Sequence, residues 1–532
     1  MVAEKPDTPS IDDLEIGLDW PLEEAIRAYG RTCPDRPAVT FGDETISYGD
    51  LDRETNAIAN ALLALGCKAG DRLAIAVKNC AENYLTLIAA RKIGAVQVAM
   101  NWRYSPREIA WIVNDCQSPI LLLDRQLLPS ADAILAATGR PVTLFSVGEG
   151  DAKIPGFRKW AAQHSGEDHG SISGADEVAI QLYTSGTTGN PKGALITNAN
   201  LSSFYRNAAE AIPMRRHGNH LIVLPLFHVA ALIWSLRAFV RGGHCIGMSE
   251  FDAESLLEII PRYEINDFAI VHTVLAMMVR AAPPGTRFDM DAIVVGGGAL
   301  SGQAARETMA LFGCPLFSAY GSTELTFGVT ALRIDDKLLE TEHLLASCGR
   351  PMREIELGIF DHETLTELPD GETGEIWVRG GQRSLGYWQN PEATREAFLE
   401  NGWFRTGDMG HIRDGYLYVS DRLKDMIRTG GENVYPAEVE RQLGDHPDIA
   451  EAVVIGIPDE KWGETVLAQV IRRPGAALMP EDVIRFARER LAGFKCPRHV
   501  DFVDDFPRTP SGKPQKHVIR AGYWENRDRK IG

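Results

Sequence analysis

Between Arg72 and Ala99 the chain reads as an apolar strand, Arg72 to Val77, a helix, Ala81 to Ile93, and a second apolar strand, Ala95 to Ala99. Strands that are apolar along their whole length are buried on both faces, and a helix between two of them makes a parallel crossover. Pro119 to Asp124 and Pro141 to Val147 continue the alternation, so the pattern predicts a parallel α/β sheet. Upstream, Ala57, Ile58, Ala61, Leu62 and Leu65 recur at helical spacing as far as Gly66, a C-cap signal. Ahead of that helix, AVTFGDETISYGDL places two short strands around a Gly-Asp turn. The polar, Gly-containing stretch from Gly148 to Gly174 reads as a connection.

At 532 residues the chain exceeds the roughly 250 to 300 at which single cores stop growing, so two or more domains are expected. A formal charge of −18 argues against nucleic acid as a partner, because a phosphate backbone needs clustered Lys and Arg. The cysteines contain no CxxC pair, which points to a reduced, cytoplasmic protein without structural zinc. Residues 1–20 are acidic and Pro-containing, lack an apolar leader core, and read as a flexible lead. The longest strongly apolar segment, Leu221 to Trp234, is 14 residues and is broken by Pro225 and His228. A membrane helix needs ~18 to 20, so no span is expected.

Directly after the mostly apolar run Val178 to Leu182 comes Tyr183 to Ala194, YTSGTTGNPKGA, which packs hydroxyls, glycines and one lysine together. Glycines let a backbone approach an anion, hydroxyls and N–H groups donate to phosphate oxygens, and Lys192 adds charge. The loop is not a Walker A sequence: Lys192 follows Pro191 and precedes Gly193, where that motif needs Gly before the lysine and Ser or Thr after it. A bare surface turn is the alternative. TSGTTGNPKG is similar to the signature loop of the adenylate-forming superfamily, which contains acyl-CoA synthetases, peptide-synthetase adenylation domains and luciferases.

The resemblance extends from about Leu22 to about Lys516, with its motifs in the family's order. It implies that Thr184, Ser185, Gly186, Thr187, Thr188, Gly189 and Lys192 handle the triphosphate of ATP. His228, between apolar neighbours at a strand-to-helix junction, stands where amino-acid-activating relatives carry an Asp and acid–CoA ligases a His. A carboxylic acid without an α-amino group is therefore implied. FDAES, Phe251 to Ser255, reads as a helix start with Asp252 as N-cap. IVVGGGAL, Ile293 to Leu300, is a strand ending in glycines, open to a structural reading or to close approach of Gly297, Gly298 and Ala299 to a flat ligand. In SAYGSTELT the resemblance assigns Ser318, Ala319, Tyr320, Gly321, Ser322 and Thr323 to the nucleotide. Tyr320 would stack on adenine and Thr323 touch the α-phosphate, while Glu324, with Thr184, would hold Mg²⁺, a hard cation that suits oxygen ligands.

GETGEIWVRGGQRSLGYWQNPEAT, 371–394, reads as turn, strand, loop and a helix from Pro391, with a structural role. In WFRTGDMG, Asp408 would accept from both ribose hydroxyls, with Arg422 as second ribose ligand. Lys424 occupies the family's hinge position. Gly430 and Gly431 would form the pantetheine tunnel of coenzyme A, with Glu432, Phe494 and Lys495 also on the coenzyme. PAEVERQLGDH and PEDVIRFARERL read as helices and IAEAVVIGIP and VDFVDDFP as strands of a small domain. Lys513, in PRTPSGKPQKH, matches the adenylation lysine. Two residues depart from the family: Cys496 stands where several relatives have a basic residue near the coenzyme, and Lys516 where Arg is common. These put the contacts to the 3′-phosphate in doubt.

The implied fold is α/β: a large domain, 21–423, of two doubly wound α/β subdomains and a small distorted β-barrel, then a small mobile α+β domain, 424–532. The implied reaction joins a carboxylate to the α-phosphate of Mg·ATP, releases pyrophosphate, and transfers the acyl group to coenzyme A with release of AMP. His228, Lys192, Glu324 and Lys513 carry it, and the small domain turns between the two halves. For the acyl pocket, which also takes His228 and Gly321, Val229, Ala230 and Ala231 after His228, with Gly328 and Val329, suggest apolar room, and Trp234 and Phe327 could close it, which suits an aryl or medium- to long-chain acid. Rival readings are an adenylation enzyme loading a carrier-protein phosphopantetheine in trans, a luciferase-like oxygenase, and a non-catalytic nucleotide-binding module. Monomer and homodimer are both open.

Overall fold

The computed structural model describes residues 16–170, 174–184, 191–296, 300–422, 425–429, 432–459, 461–508 and 514–524. The expected flexible lead lies almost wholly outside them, as does the expected hinge, Lys424. The chain divides into two compact units, one of residues 1–356 and 379–403, the other of 357–378 and 404–532.

The first unit is built on two sheets. The smaller has the order Thr143–Ser146, Ile120–Leu123, Arg72–Ala76, Val96–Ala99, Val178–Thr184, Lys192–Thr197. It is parallel except for the last pair, which is antiparallel. The larger runs Arg350–Pro351, Thr330–Ile334, Leu316–Ser318, Ala292–Gly296, Asp267–Val271, Asn219–Ile222, His244–Gly247, Pro37–Phe41, Glu44–Ser47. Its centre is parallel, and antiparallel strands close both edges. The strand–helix–strand reading of 72–99 is therefore the middle of a doubly wound sheet.

The helix Ala81–Lys92 is buried along its whole length, because it packs against strands of both sheets as well as the helices Leu22–Thr32 and Tyr48–Ala64. Its charged residues go inside paired. Arg91 meets Glu23 at 3.2 Å, and Lys92 donates to Asp52 and Asn56 at 2.6 Å each. The helix Val229–Val240 is almost as deeply buried. Its Arg237 donates to the carbonyls of Ala208 and Ile212, 2.9 and 2.8 Å away, at the end of the helix Asn198–Ala211, where a cation complements the helix dipole. The connection 148–174 is more structured than its composition suggests. It holds the helix Phe157–Ala161, whose Phe157 and nearby Trp160 pack on Phe145 at ring distances of 5.5 and 4.3 Å.

In the second unit, Gly374–Gly380, Phe404–Arg413 and Tyr416–Arg422 form an antiparallel half-barrel sheet with Ile355–Phe360 at its edge. A further sheet runs Glu432–Val434, Ile427–Thr429, Gly463–Arg472, Ile449–Asp459, with His499–Phe502 parallel to Gly463–Arg472. The helices Pro436–Gly444 and Pro480–Arg488 bury Val439, Leu443, Val483 and Ala487 in one core, and Lys516–Ala521 buries Ile519 in another. The sequence reading places no strand at Gly463–Arg472, yet it pairs with three neighbours.

Candidate active site

The phosphate-handling loop is the turn of a hairpin. Val178–Thr184 and Lys192–Thr197 pair antiparallel, with Thr184 opposite Lys192 and Tyr183 opposite Gly193. Ser185, Gly186, Thr187, Thr188 and Gly189 lie outside the described residues, but the two ends of the loop are fixed side by side. Gly193 leaves room for a neighbouring side chain: a Cβ there would lie 2.6 Å from Gln181 Nε2, which would have to shift. Below the loop, the half-buried Tyr183 donates its hydroxyl to Asp115, and burial raises the carboxyl pKa of Asp115.

A stretch from the first unit's late segment adds itself to this hairpin. Leu385 N donates to Leu195 O at 2.9 Å, Leu195 N to Gly386 O at 3.0 Å, and Trp388 N to Gly193 O at 2.8 Å. Trp388 is braced by its Nε1 donating to Asp115 O at 2.9 Å and by the Arg72 guanidinium 3.4 Å from its ring centroid. Between these anchors sits Tyr387, whose hydroxyl donates to Glu324 Oε1 at 3.0 Å. Thr184 Oγ1 lies 3.4 Å from the same oxygen, at the outer limit of a hydrogen bond. The Lys192 ammonium stands 5.2 Å from the Tyr387 ring centroid. Burial and the neighbouring Glu324 charge both raise the Tyr387 pKa, so the phenol stays protonated. Tyr387 is the site residue that sequence reasoning misses, since its segment reads as structural; no local pattern links it to Glu324.

Glu324 owes its place to a tight turn. Gly321–Ser322 and Phe327–Gly328 pair antiparallel, and a Cβ on Gly321 would overlap the Phe327 carbonyl. Thr326 adopts a left-handed φ of 64°, a strained conformation for a β-branched residue; its hydroxyl donates to Gln382 O at 2.6 Å. Gln382, fully buried, returns a bond from Nε2 to Gly328 O at 2.9 Å and accepts from Asn207 Nδ2 at 2.7 Å. Tyr320 N donates to Thr330 Oγ1 at 3.1 Å. Tyr320, Ser322 and Thr323 are partly exposed, and so are Ser318 and Ala319. The strand Ala292–Gly296 lies parallel to Leu316–Ser318, with Val295 level with Ser318, and leads to Gly297, Gly298 and Ala299, outside the described residues. Carboxyl ends of adjacent parallel strands are where open α/β sheets bind ligands.

His228 is the N-cap residue of Val229–Val240. The loop before it is clamped by Asn79, which donates from Nδ2 to Leu224 O at 3.1 Å and accepts from Leu226 N at 2.8 Å. Val229 and Ala230 are partly exposed on the first turn. Trp234 is buried: its Nε1 donates to Asp267 Oδ1 at 3.0 Å and its ring stacks on Phe327 at 6.0 Å. The helix that His228 caps thus packs, through Trp234, against the Phe327–Gly328 strand.

The other named residues belong to the second unit. Asp408 is the cross-strand partner of Arg422, and follows Gly407, held at φ 69° with its N–H 3.2 Å from Glu375 Oε1. Lys495 Nζ is 2.8 Å from each carboxylate oxygen of Glu438, Glu432 is exposed, and Phe494 is 37% exposed. Cys496 is buried in the core of this unit. Gly430, Gly431 and Lys513 lie outside the described residues.

Among the described residues, no group of three or more His, Cys, Asp and Glu side chains could hold a metal. One carboxylate beside one hydroxyl, Glu324 and Thr184, instead suits a hard cation that takes its remaining oxygens from phosphate and water. The model of the AMP-binding enzyme family matches residues 26–388, and that of its C-terminal domain matches 438–513. The chain belongs to the AMP-binding enzymes. Thr184, Lys192, His228, Glu324 and Tyr387 all fall within the first match. This AMP-binding enzyme is 34% identical over 507 residues to a fatty acid–acyl-carrier-protein ligase of Streptomyces coeruleorubidus, covering 94% of this chain and 95% of the relative. It is 35% identical over 484 residues to a long-chain-fatty-acid–CoA ligase of Mycobacterium tuberculosis, covering 90% and 94%. Its fold matches the o-succinylbenzoate coenzyme A synthetase of Bacillus subtilis in complex with ATP and magnesium ion, with a TM-score of 0.81, 28% identity and coverage of 93% and 98%. The AMP-binding enzyme is an AMP-forming acid–thiol ligase. No helix among its described residues is long and apolar enough to cross a membrane.

Proposed function

We propose that this ligase activates an aryl or medium- to long-chain carboxylic acid with Mg·ATP, releasing pyrophosphate, and passes the acyl group to coenzyme A. The observation that carries the reading is the convergence of a hydroxyl, an ammonium and a carboxylate, Thr184, Lys192 and Glu324, where a hairpin meets a tight turn. Names of relatives, a long-chain-fatty-acid–CoA ligase among them, support the acyl class.

In this mechanism no residue forms a covalent intermediate. Lys192 and the loop from Thr184 neutralise the leaving pyrophosphate, and Lys513 bridges carboxylate and phosphate oxygens as charge develops. Glu324 and Thr184 would hold Mg²⁺, which when bound supplies charge neutralisation to the phosphates. Asp408 and Arg422 take the ribose hydroxyls, and Tyr320 stacks on adenine. His228, at the positive end of Val229–Val240, orients the substrate carboxylate, and the apolar wall of Trp234 and Phe327 receives its tail. We place the enzyme in the cytoplasm, in keeping with its free cysteines, as a monomer or homodimer.

The test is coenzyme-A-dependent AMP release from Mg·ATP across acids from acetate through fatty to benzoic, cinnamic and polycyclic acids, with amino acids included. A second reading, a carrier-protein acceptor, is favoured by a specific observation. Cys496 is buried and Lys495 is engaged by Glu438, which leaves neither position as a free cation for a 3′-phosphate. Pyrophosphate exchange that coenzyme A does not turn into AMP release would select the carrier reading. No exchange with any acid would reject both.

A further inference from the structure

Tyr387 touches two charged groups at once. Its hydroxyl donates to Glu324 Oε1, and its ring face lies under the Lys192 ammonium. Both described hydroxyl contacts to Glu324 fall on Oε1, and Oε2 has no donor among the described residues. An ammonium and a carboxylate on one wall attract each other, and a pair between them would consume both the phosphate-binding charge and the cation-binding oxygen. Among the described residues no ion pair joins Lys192 to Glu324; the phenol stands between them, giving the carboxylate a neutral donor and the ammonium an aromatic face.

The ring has little freedom to leave. Main-chain bonds fix both flanking residues: Gly386 to Leu195 and Trp388 to Gly193. Tyr387 N donates to Thr394 Oγ1 at 3.0 Å, and the ring meets Phe398 edge-on at 5.4 Å. Gly386 takes a φ of 138°, and a Cβ on it would approach Thr394 Cγ2 to 2.6 Å. So many constraints on one loop tyrosine fit a side chain that must be in position before the ligand arrives.

We propose that Tyr387 is a positioning residue that presents Glu324 to the cation of Mg·ATP and keeps Lys192 from pairing with that carboxylate. This rests on the ligase reading above. Two consequences separate its halves. The hydroxyl serves the cation alone, so its loss weakens binding of metal-bound ATP and leaves metal-free ATP unaffected. The ring serves the lysine, so its loss weakens metal-free ATP as well.

Titration calorimetry on the full chain measures ATP affinity in EDTA and in excess Mg²⁺, the ratio being the gain conferred by the cation. In Tyr387→Phe that gain is expected to fall about 10-fold, the size of one charge-assisted hydrogen bond, with affinity in EDTA within about twofold of wild type. In Tyr387→Leu the affinity in EDTA also falls, and adding Glu324→Gln restores it by removing the competing charge. A wild-type gain in Tyr387→Phe overturns the proposal. So does a reduced gain accompanied by a lower melting temperature of the ligand-free variant, since that marks a packing role, and so does failure of Glu324→Gln to restore binding. If the wild-type protein itself gains nothing from Mg²⁺, the ligase reading falls first and this inference with it.

Discussion

Thr184 and Lys192 are cross-strand partners in one antiparallel hairpin, so the hydroxyl and ammonium at the two ends of the phosphate loop are set by strand register. Their spacing does not depend on the loop. Lys192→Met is therefore expected to lower acid-dependent pyrophosphate exchange about 100- to 1,000-fold, the usual loss for one charge-stabilising donor, while leaving the thermal unfolding midpoint near that of wild type.

Lys513→Ala is expected to abolish adenylate formation and to leave thioester formation from supplied acyl-adenylate intact, and Gly431→Leu to do the reverse. Rapid-quench measurement of each half-reaction checks both. Equal loss of both halves in either folded variant would reject the division of labour.

The ion pair between Glu23 and Arg91 is buried on both sides, 0% and 2% exposed. Glu23→Gln leaves the buried Arg91 charge without that carboxylate, which is expected to cost about 3 to 5 kcal/mol, read as a lower midpoint in urea. A double replacement by apolar residues of similar volume should recover much of that loss.

His244 is buried, with its Nε2 2.8 Å from Thr40 Oγ1, and burial, helped by the nearby Arg36 and His220, lowers its pKa to about 4. Unfolded, it would titrate near 6.5. The unfolded chain therefore binds the proton first as pH falls, and stability is full above about 6.5 and declines towards 4. The total is of the order of 3 kcal/mol, at about 1.4 kcal/mol per pKa unit. In His244→Gln the slope of unfolding free energy against pH over that window should flatten.

Local signals were the legible part. Asp252 caps its helix as its sequence suggests, accepting from Ser255 N, and the Gly-Asp turn near Gly42 joins a real hairpin. Signals at a distance were not. Tyr387 and Glu324 are 63 residues apart, and no periodicity connects a loop tyrosine to a carboxylate on another turn. Gly463–Arg472 shows no clean alternation because it is buried on both faces, Val466, Ala468 and Val470 entering one core and Leu467 another; its weight becomes visible only once its three partners are known. For Cys496, the departure from the family was visible in sequence, but its burial was not. That burial follows from the packing of the C-terminal helices.

The helix Ala81–Lys92 touches strands of both sheets and offers no face to water. Neither sheet can open without exposing it, so its amide protons should exchange with solvent only through opening of the whole first unit, at the slowest rate in the molecule. The sheet that ends in Thr184 and the sheet that leads into the Glu324 turn then melt in a single cooperative step. Heat or denaturant would destroy the catalytic wall all at once, and no partly active form with one sheet intact should accumulate.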